Sequence, residues 1–271
     1  MLKTVRSWEF GGIKTKDSSE KGLKDFGLKH MDSKLRTPNS ELRTISPLDE
    51  ILSIFTLSGS SVSPRKILFR GEGVGGIASH VAGWMAGKGM EVIILDGANR
   101  FNPYIASSFA RKALISPEKI LKRIRIARAF TCYQMAALMG DKLISLLGGI
   151  GELPQQKIRV ILLGPLTTFL DEDVPEREVQ PLFEKALRKV EEMASEGVPF
   201  FLFQSPASHH SKRAFLMKRL FQFSDLVWKI SLEDQGTKMI LEKKSELKTP
   251  LKIVNLKMKN GNLEEEDFAL F

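Results

Sequence analysis

The sequence is poor in the residues that build covalent or metal cross-links, with one cysteine and four histidines in 271 residues. A lone Cys132 allows no internal disulfide and fits a reducing compartment, so a cytoplasmic location is expected. His30, His80 and the pair His209-His210 include no two at helical i, i+4 spacing, and a structural metal site is not expected. No run reaches the roughly 18 apolar residues that a membrane-spanning helix needs, so no membrane partner is expected. Met1 to Phe10 carries Lys3, Arg6 and Glu9 with no long apolar region behind them, which argues against a secretory signal. Acid is in deficit: 41 Lys and Arg stand against 32 Asp and Glu, a net charge of +9. A basic protein attracts phosphate backbones, although many basic proteins bind no nucleic acid, and both readings stand.

What is present is enough for one core domain. The hydrophobic fraction of 42% is that of an ordinary globular chain. Residues 1–46 are polar, rich in Lys, Ser, Asp and Gly, and read as a flexible extension. Residues 47–255 carry the periodic segments, and residues 256–271, with Glu264-Glu265-Glu266-Asp267, read as a short solvated tail. Ser46-Pro47-Leu48-Asp49-Glu50 has the form of a capped helix start. Short apolar strands are expected at Lys66–Arg70, Glu91–Asp96, Ile124–Ala129, Arg159–Leu163 and Val198–Phe203, with helices between them, among them Ile77–Lys88, Tyr133–Leu147 and Glu178–Ser195. Near-continuous apolar strands alternating with helices predict an α/β fold, a mostly parallel sheet covered on both faces. Leu226–Ser231 and Thr237–Lys243, joined at Asp234-Gln235-Gly236, predict an antiparallel hairpin at one edge.

The first strand runs into Gly71-Glu72-Gly73-Val74-Gly75-Gly76. A strand, a glycine turn and a helix make an anion site, because backbone amides and the helix N-terminus direct positive partial charge at a ligand. In the phosphate loop G-x-x-x-x-G-K-[ST], the Lys reaches the phosphates and the hydroxyl holds Mg²⁺. Gly71 and Gly76 keep the outer spacing, but Ile77 and Ala78 follow, and Ser79 is one residue late and rotated by about 100° on a helix. A tight strand-to-helix turn with no ligand explains the same glycines.

Four stretches in order resemble RecA and its archaeal and eukaryotic recombinase relatives, including their paralogues. Leu48-Asp49-Glu50-Ile51-Leu52 is similar to the L-D-x-L-L segment before the first core strand; Gly71 to Ala78 stands at the phosphate loop. Leu95-Asp96-Gly97-Ala98-Asn99-Arg100-Phe101-Asn102-Pro103 resembles I-D-T-E-G-x-F-x-P, and Ala127-Arg128-Ala129-Phe130 with Gln134 resembles A-R-A-F-x-x-x-x-Q. Gln204 ends a strand where these proteins carry N-Q. The resemblance implies a RecA-type, P-loop NTPase-like core whose chemistry has been lost. The phosphate-loop Lys and Thr fall on Ile77 and Ala78, the catalytic Glu on Ala98, and the Mg²⁺-associated acid on Gly164. Phosphoryl transfer rests on positioning and charge stabilisation, so a pseudo-ATPase with no catalytic residues is expected. No resident cofactor is expected; weak binding of nucleotide or a simple anion at the turn is compatible with the glycines that remain.

Two basic segments stand out. Arg111, Lys112, Lys119, Lys122, Arg123, Arg125 and Arg128 read either as a phosphate-tracking surface or as a solvated face. Lys212, Arg213, Lys218 and Arg219 follow Gln204, where the resemblance places a DNA-binding loop, and are the DNA-contact candidates. The other loop that the resemblance turns toward DNA holds Asp171, Glu172, Asp173 and Glu176, which would repel phosphate. The expected partners are DNA and a RecA-like or other protein, and an oligomer is compatible with the sequence. The expected function is an accessory role in DNA recombination or repair. The alternatives are an interaction scaffold unrelated to DNA and, further off, an ATPase with compensating residues.

Overall fold

The computed structural model describes residues 65–149, 157–171, 173–206, 213–233, 236–244, 255–259 and 262–266. Its frame is set by strands that are apolar on both faces. In β4 (Ile158–Leu163) and β5 (Phe200–Gln204) every residue is buried, which demands cover on both sides of the sheet. Nine strands form one sheet: β1 (Lys66–Gly71), β2 (Glu91–Asp96), β3 (Ile124–Arg128), β4, β5, β6 (Leu226–Glu233), β7 (Gly236–Lys244), β8 (Asn255–Lys259) and β9 (Asn262–Glu266). Their spatial order is β3-β2-β4-β5-β1-β6-β7-β8-β9. From β3 to β6 all neighbours are parallel; β6 to β9 pair antiparallel.

Alternation along each strand sends side chains to two cores. Ile67, Phe69, Val92, Ile94, Phe201 and Phe203 pack under α1 (Val74–Gly87), α2 (Pro103–Lys112) and α3 (Pro117–Leu121). Leu68, Ile93, Leu95, Val160, Leu162 and Leu202 pack on the opposite face. That face is covered by α4 (Cys132–Ala137), α5 (Leu143–Gly148), α6 (Glu176–Ser195) and α7 (Ala214–Phe223). In α6 the buried Val179, Phe183, Ala186, Leu187, Val190, Met193 and Ala194 recur at the spacing of one helical stripe. The architecture is therefore α/β, a mostly parallel sheet with helices on both faces and antiparallel strands at one edge.

Three boundaries differ from the sequence reading. The first helix starts at Val74, three residues before Ile77. The helix expected over Tyr133–Leu147 is broken by a π-helical stretch, Leu138–Lys142, where Gly140 leaves helical geometry (φ −106°, ψ −118°). Glycine tolerates that excursion, and Met135, Met139 and Leu143 all stay in the core across it. The sheet also continues past residue 255, so Glu264-Glu265-Glu266 lies in the β8–β9 hairpin and not in a tail. Residues 1–46, the helix start at Ser46 and the L-D-x-L-L stretch lie outside the described residues.

Candidate nucleotide site

The sheet order gives one place where a parallel sheet can open a crevice. From β2 the chain leads outward to β3, whereas from the adjacent β4 it leads inward to β5. In an open parallel sheet a crevice forms outside the carboxyl ends of two such diverging strands. Here the crevice is closed by the loops themselves. The amides of Gly97 and Ala98 both donate to the Leu163 carbonyl, at 2.9 and 3.3 Å, and the Gly164 amide donates to the Phe203 carbonyl at 2.7 Å.

The turn between β1 and α1 is only Glu72-Gly73. Gly71 belongs to β1 and pairs with Ile230 of β6; its φ is +133°, and a Cβ there would lie 1.9 Å from the Ile230 carbonyl oxygen. Gly75 and Gly76, expected in the turn, are inside α1. The Gly76 and Ile77 amides both go to the Gly73 carbonyl, at 3.0 and 3.3 Å, and do not form a cradle for phosphate. Ile77 is partly buried against the core and Ala78 is 1% exposed, so the two residues after the glycines are packing side chains.

The polar residues here act as staples. Ser79 is fully buried; its hydroxyl donates to the Gly75 carbonyl at 2.9 Å and accepts the Asn102 amide at 2.9 Å, tying α1 to the β2–α2 loop. Asp96 is also fully buried, and its carboxylate accepts the amides of Arg100 (3.1 Å) and Phe101 (3.0 Å). Gln204 accepts the Leu166 amide at 2.9 Å and donates to the Ser205 carbonyl at 3.1 Å, holding the loop after β4. Asn102, which sequence reasoning left out, caps α2 by accepting the Tyr104 amide at 2.9 Å. A short polar residue directly before Pro103 was the signal for it.

Gly164 leaves no room for a side chain. Its φ is +65°, and a Cβ there would lie 2.4 Å from the Ala98 Cβ and 2.5 Å from the Thr167 Oγ1. Positions 98 and 164 therefore contend for one small volume. Among the described residues no group of three or more His, Cys, Asp or Glu is placed to hold a metal ion. Beside this region Cys132 is buried, and burial pushes its thiol up from its ordinary value, which suits an unreactive packing residue.

The described DNA-contact candidates do not form one surface. Lys212 lies outside the described residues. Arg213 is 5% exposed; its guanidinium donates to the Phe169 carbonyl at 2.7 Å and also to the carbonyls of Asp171 and Val174. It clamps the acidic loop from within and is not available to a phosphate. Arg219 forms a two-point pair with Glu184, Nε to Oε1 at 2.7 Å and Nη2 to Oε2 at 3.1 Å. Of the four, Lys218 is an exposed cation. No protein-family model matches the chain, and no curated protein matches it.

Proposed function

We propose that this chain is a RecA-like protein whose degenerate phosphate loop does not hydrolyse nucleotide, and that it acts as an accessory in DNA recombination or repair by binding DNA or an active partner. The single observation that carries the loss of hydrolysis is the conversion of the site into packing. Ala78 is buried, Ser79 is spent on backbone groups, and Gly164 has no room for a side chain. A transition state that depends on a cation, a metal and an oriented water finds none of their supports here. The parallel sheet with its glycine turn at the end of β1 is compatible with the resemblance, and the basic balance of the chain supports a phosphate-bearing partner.

The test is phosphate release from ATP by the purified protein, with and without Mg²⁺, beside a nucleotide-binding titration. No turnover above background is expected. Mg²⁺-dependent turnover abolished by a change in the turn, such as Gly73→Val, would overturn the reading. A second reading, an interaction scaffold that does not involve DNA, draws on Leu114, which is 95% exposed at the α2–α3 turn.

A further inference from the structure

Positive charge is concentrated in one stretch of the sequence. From Lys88 to Phe130 nine Lys and Arg face three acids, a net of +6 out of the chain's +9. All three acids are engaged: Glu91 pairs with Arg123 at 3.0 Å, Glu118 with Lys122 at 2.6 Å, and Asp96 is buried against backbone amides. The same segment holds three of the large apolar side chains that stand exposed, Tyr104, Leu114 and Phe130.

The carboxyl ends of β2 and β3 bring part of this segment together. Asp96 and Arg128 are register partners on these adjacent strands, with the Arg128 Nε 3.9 Å from the Asp96 carboxylate. The Asp96 carboxylate fixes the Arg100 amide, and the Asp96 carbonyl accepts the Ala129 amide at 3.1 Å. One buried residue thus holds both loops side by side. The chain leaving each strand presents an exposed arginine and then an exposed ring: Arg100 before α2 and Tyr104 in its first turn, Arg128 at the end of β3 and Phe130 after it. Tyr104 is 79% and Phe130 68% exposed. Arg100 also leaves its loop against Gly75, in the first turn of α1, where the helix end adds to the positive potential.

We infer that this lip at the carboxyl ends of β2 and β3 is a binding surface for single-stranded nucleic acid. Arg100 and Arg128 take backbone phosphates, and Tyr104 and Phe130 offer faces on which unpaired bases stack. Exposed rings interleaved with cations are what a single strand requires, because every base has a π-face and every nucleotide a charge. A duplex keeps its bases stacked inside and has no use for the rings. The surface is separate from the α7 side, where Lys218 and Arg219 lie. The inference rests on the proposed accessory role in naming the partner class, and on the geometry of the lip in naming the residues.

The experiment titrates the full chain against fluorescein-labelled oligodeoxythymidine by anisotropy over a range of salt. ATP hydrolysis is measured on the same preparation, and phosphatidylserine vesicles are tested in parallel. The variants are Arg100→Glu with Arg128→Glu, Tyr104→Ala with Phe130→Ala, and Lys218→Glu. All of these side chains are exposed, and a thermal melt checks that each variant folds. Reversing the two arginines is expected to flatten the log–log salt slope by about 1.4, at about 0.7 per phosphate on a single strand. Each lost ring is expected to weaken binding roughly 5- to 150-fold, from the usual range for base–aromatic stacking. Arg128→Lys should retain most of the affinity. Unchanged binding in both double variants overturns the inference, and loss confined to Lys218→Glu moves the contact to α7 while leaving the accessory reading standing. Binding to vesicles without binding to oligonucleotide overturns it in favour of a lipid surface, and no binding at low salt overturns it outright. Mg²⁺-dependent hydrolysis is the separate result that sinks the proposed function.

Discussion

Arg213 follows Lys212 in a run of Ser and His, a context that reads as a solvated basic loop. The folded chain buries it, because three carbonyls of the β4–α6 segment converge on a point where only a long cation reaches. Charge-assisted bonds of this kind are stronger than neutral ones, and deleting the cation leaves the carbonyls without it. Arg213→Ala is therefore expected to lower unfolding free energy by roughly 3 kcal/mol in urea titration, within the usual range for breaking a buried charged contact. Lys218→Ala, at an exposed position, should stay within about 0.5 kcal/mol of the parent. Equal, small effects would mean that the guanidinium is solvated and that the loop is held by other contacts.

At the scale of the element, β1 shows how one strand is pinned at its amino end. The Asp225 carboxylate accepts the amides of Arg65 and Lys66, at 2.8 and 2.9 Å, so the residue before β6 fixes the start of its parallel neighbour. The Lys66 ammonium lies 2.9 Å from Glu191 and 3.1 Å from Asp225, and 5.3 Å from the centroid of the Phe223 ring. Burial acts to lower its pKa, but the two carboxylates outweigh burial and the net shift is upward from 10.5. A raised folded-state pKa gives a contribution that is complete below the unfolded value and fades as pH rises through the folded one. The stability difference between the parent and Lys66→Met should accordingly be flat from neutral pH to about pH 9.5 and shrink only above the ordinary lysine range. A difference that declines already near pH 8 would place the Lys66 pKa below its ordinary value.

Elements were legible in the sequence where a simple period ruled them. The core strands through β7 and the long helix α6 fall within a few residues of where their apolar patterns place them, since a strand buried on both faces tolerates almost no polar residue. Boundaries set by tertiary contact were not legible. Helix α1 begins at Val74, where the Gly73 carbonyl collects two amides and Val74 is 2% exposed in the core, and the burial of Val74 is not local to the glycine run. The β8–β9 hairpin was hidden by its acidic residues, which read as solvated. Within the candidate site, the sequence shows only that Ile77, Ala78, Ala98 and Gly164 stand where the resemblance expects Lys, Thr and two acids. The use of Ser79, Asp96 and Gln204 as staples could not be read there, because each depends on a backbone group more than 3 residues away or on another strand's loop.

At the scale of the whole molecule, the proposed loss of phosphoryl transfer concerns how three parts meet: α1, the β2–α2 loop and the loop after β4. Returning the residues one by one tests this. Ile77→Lys adds a cation at the start of α1, and it is expected to strengthen binding of a simple anion or nucleotide without producing turnover, since no carboxylate supports metal or water. Unchanged affinity would mean that the two-residue turn leaves no room for a phosphate. The combined variant Ile77→Lys, Ala78→Thr, Ala98→Glu, Gly164→Asp restores every side chain by name, yet it is expected to remain inactive and to be less stable than the parent. The Gly164 backbone is left-handed, which costs a side chain about 1–2 kcal/mol, and its Cβ would meet Ala98 and Thr167 inside ordinary contact distance. Enlarging Ala98 at the same time pushes two carboxylates into that volume, where like charges repel and the β2–β4 contacts from Gly97 and Ala98 to Leu163 must open. A lowered urea midpoint with background phosphate release is the expected pair of results. Mg²⁺-dependent turnover at undiminished stability would show instead that the loops retain a nucleotide-competent arrangement and that only the side chains had been lost.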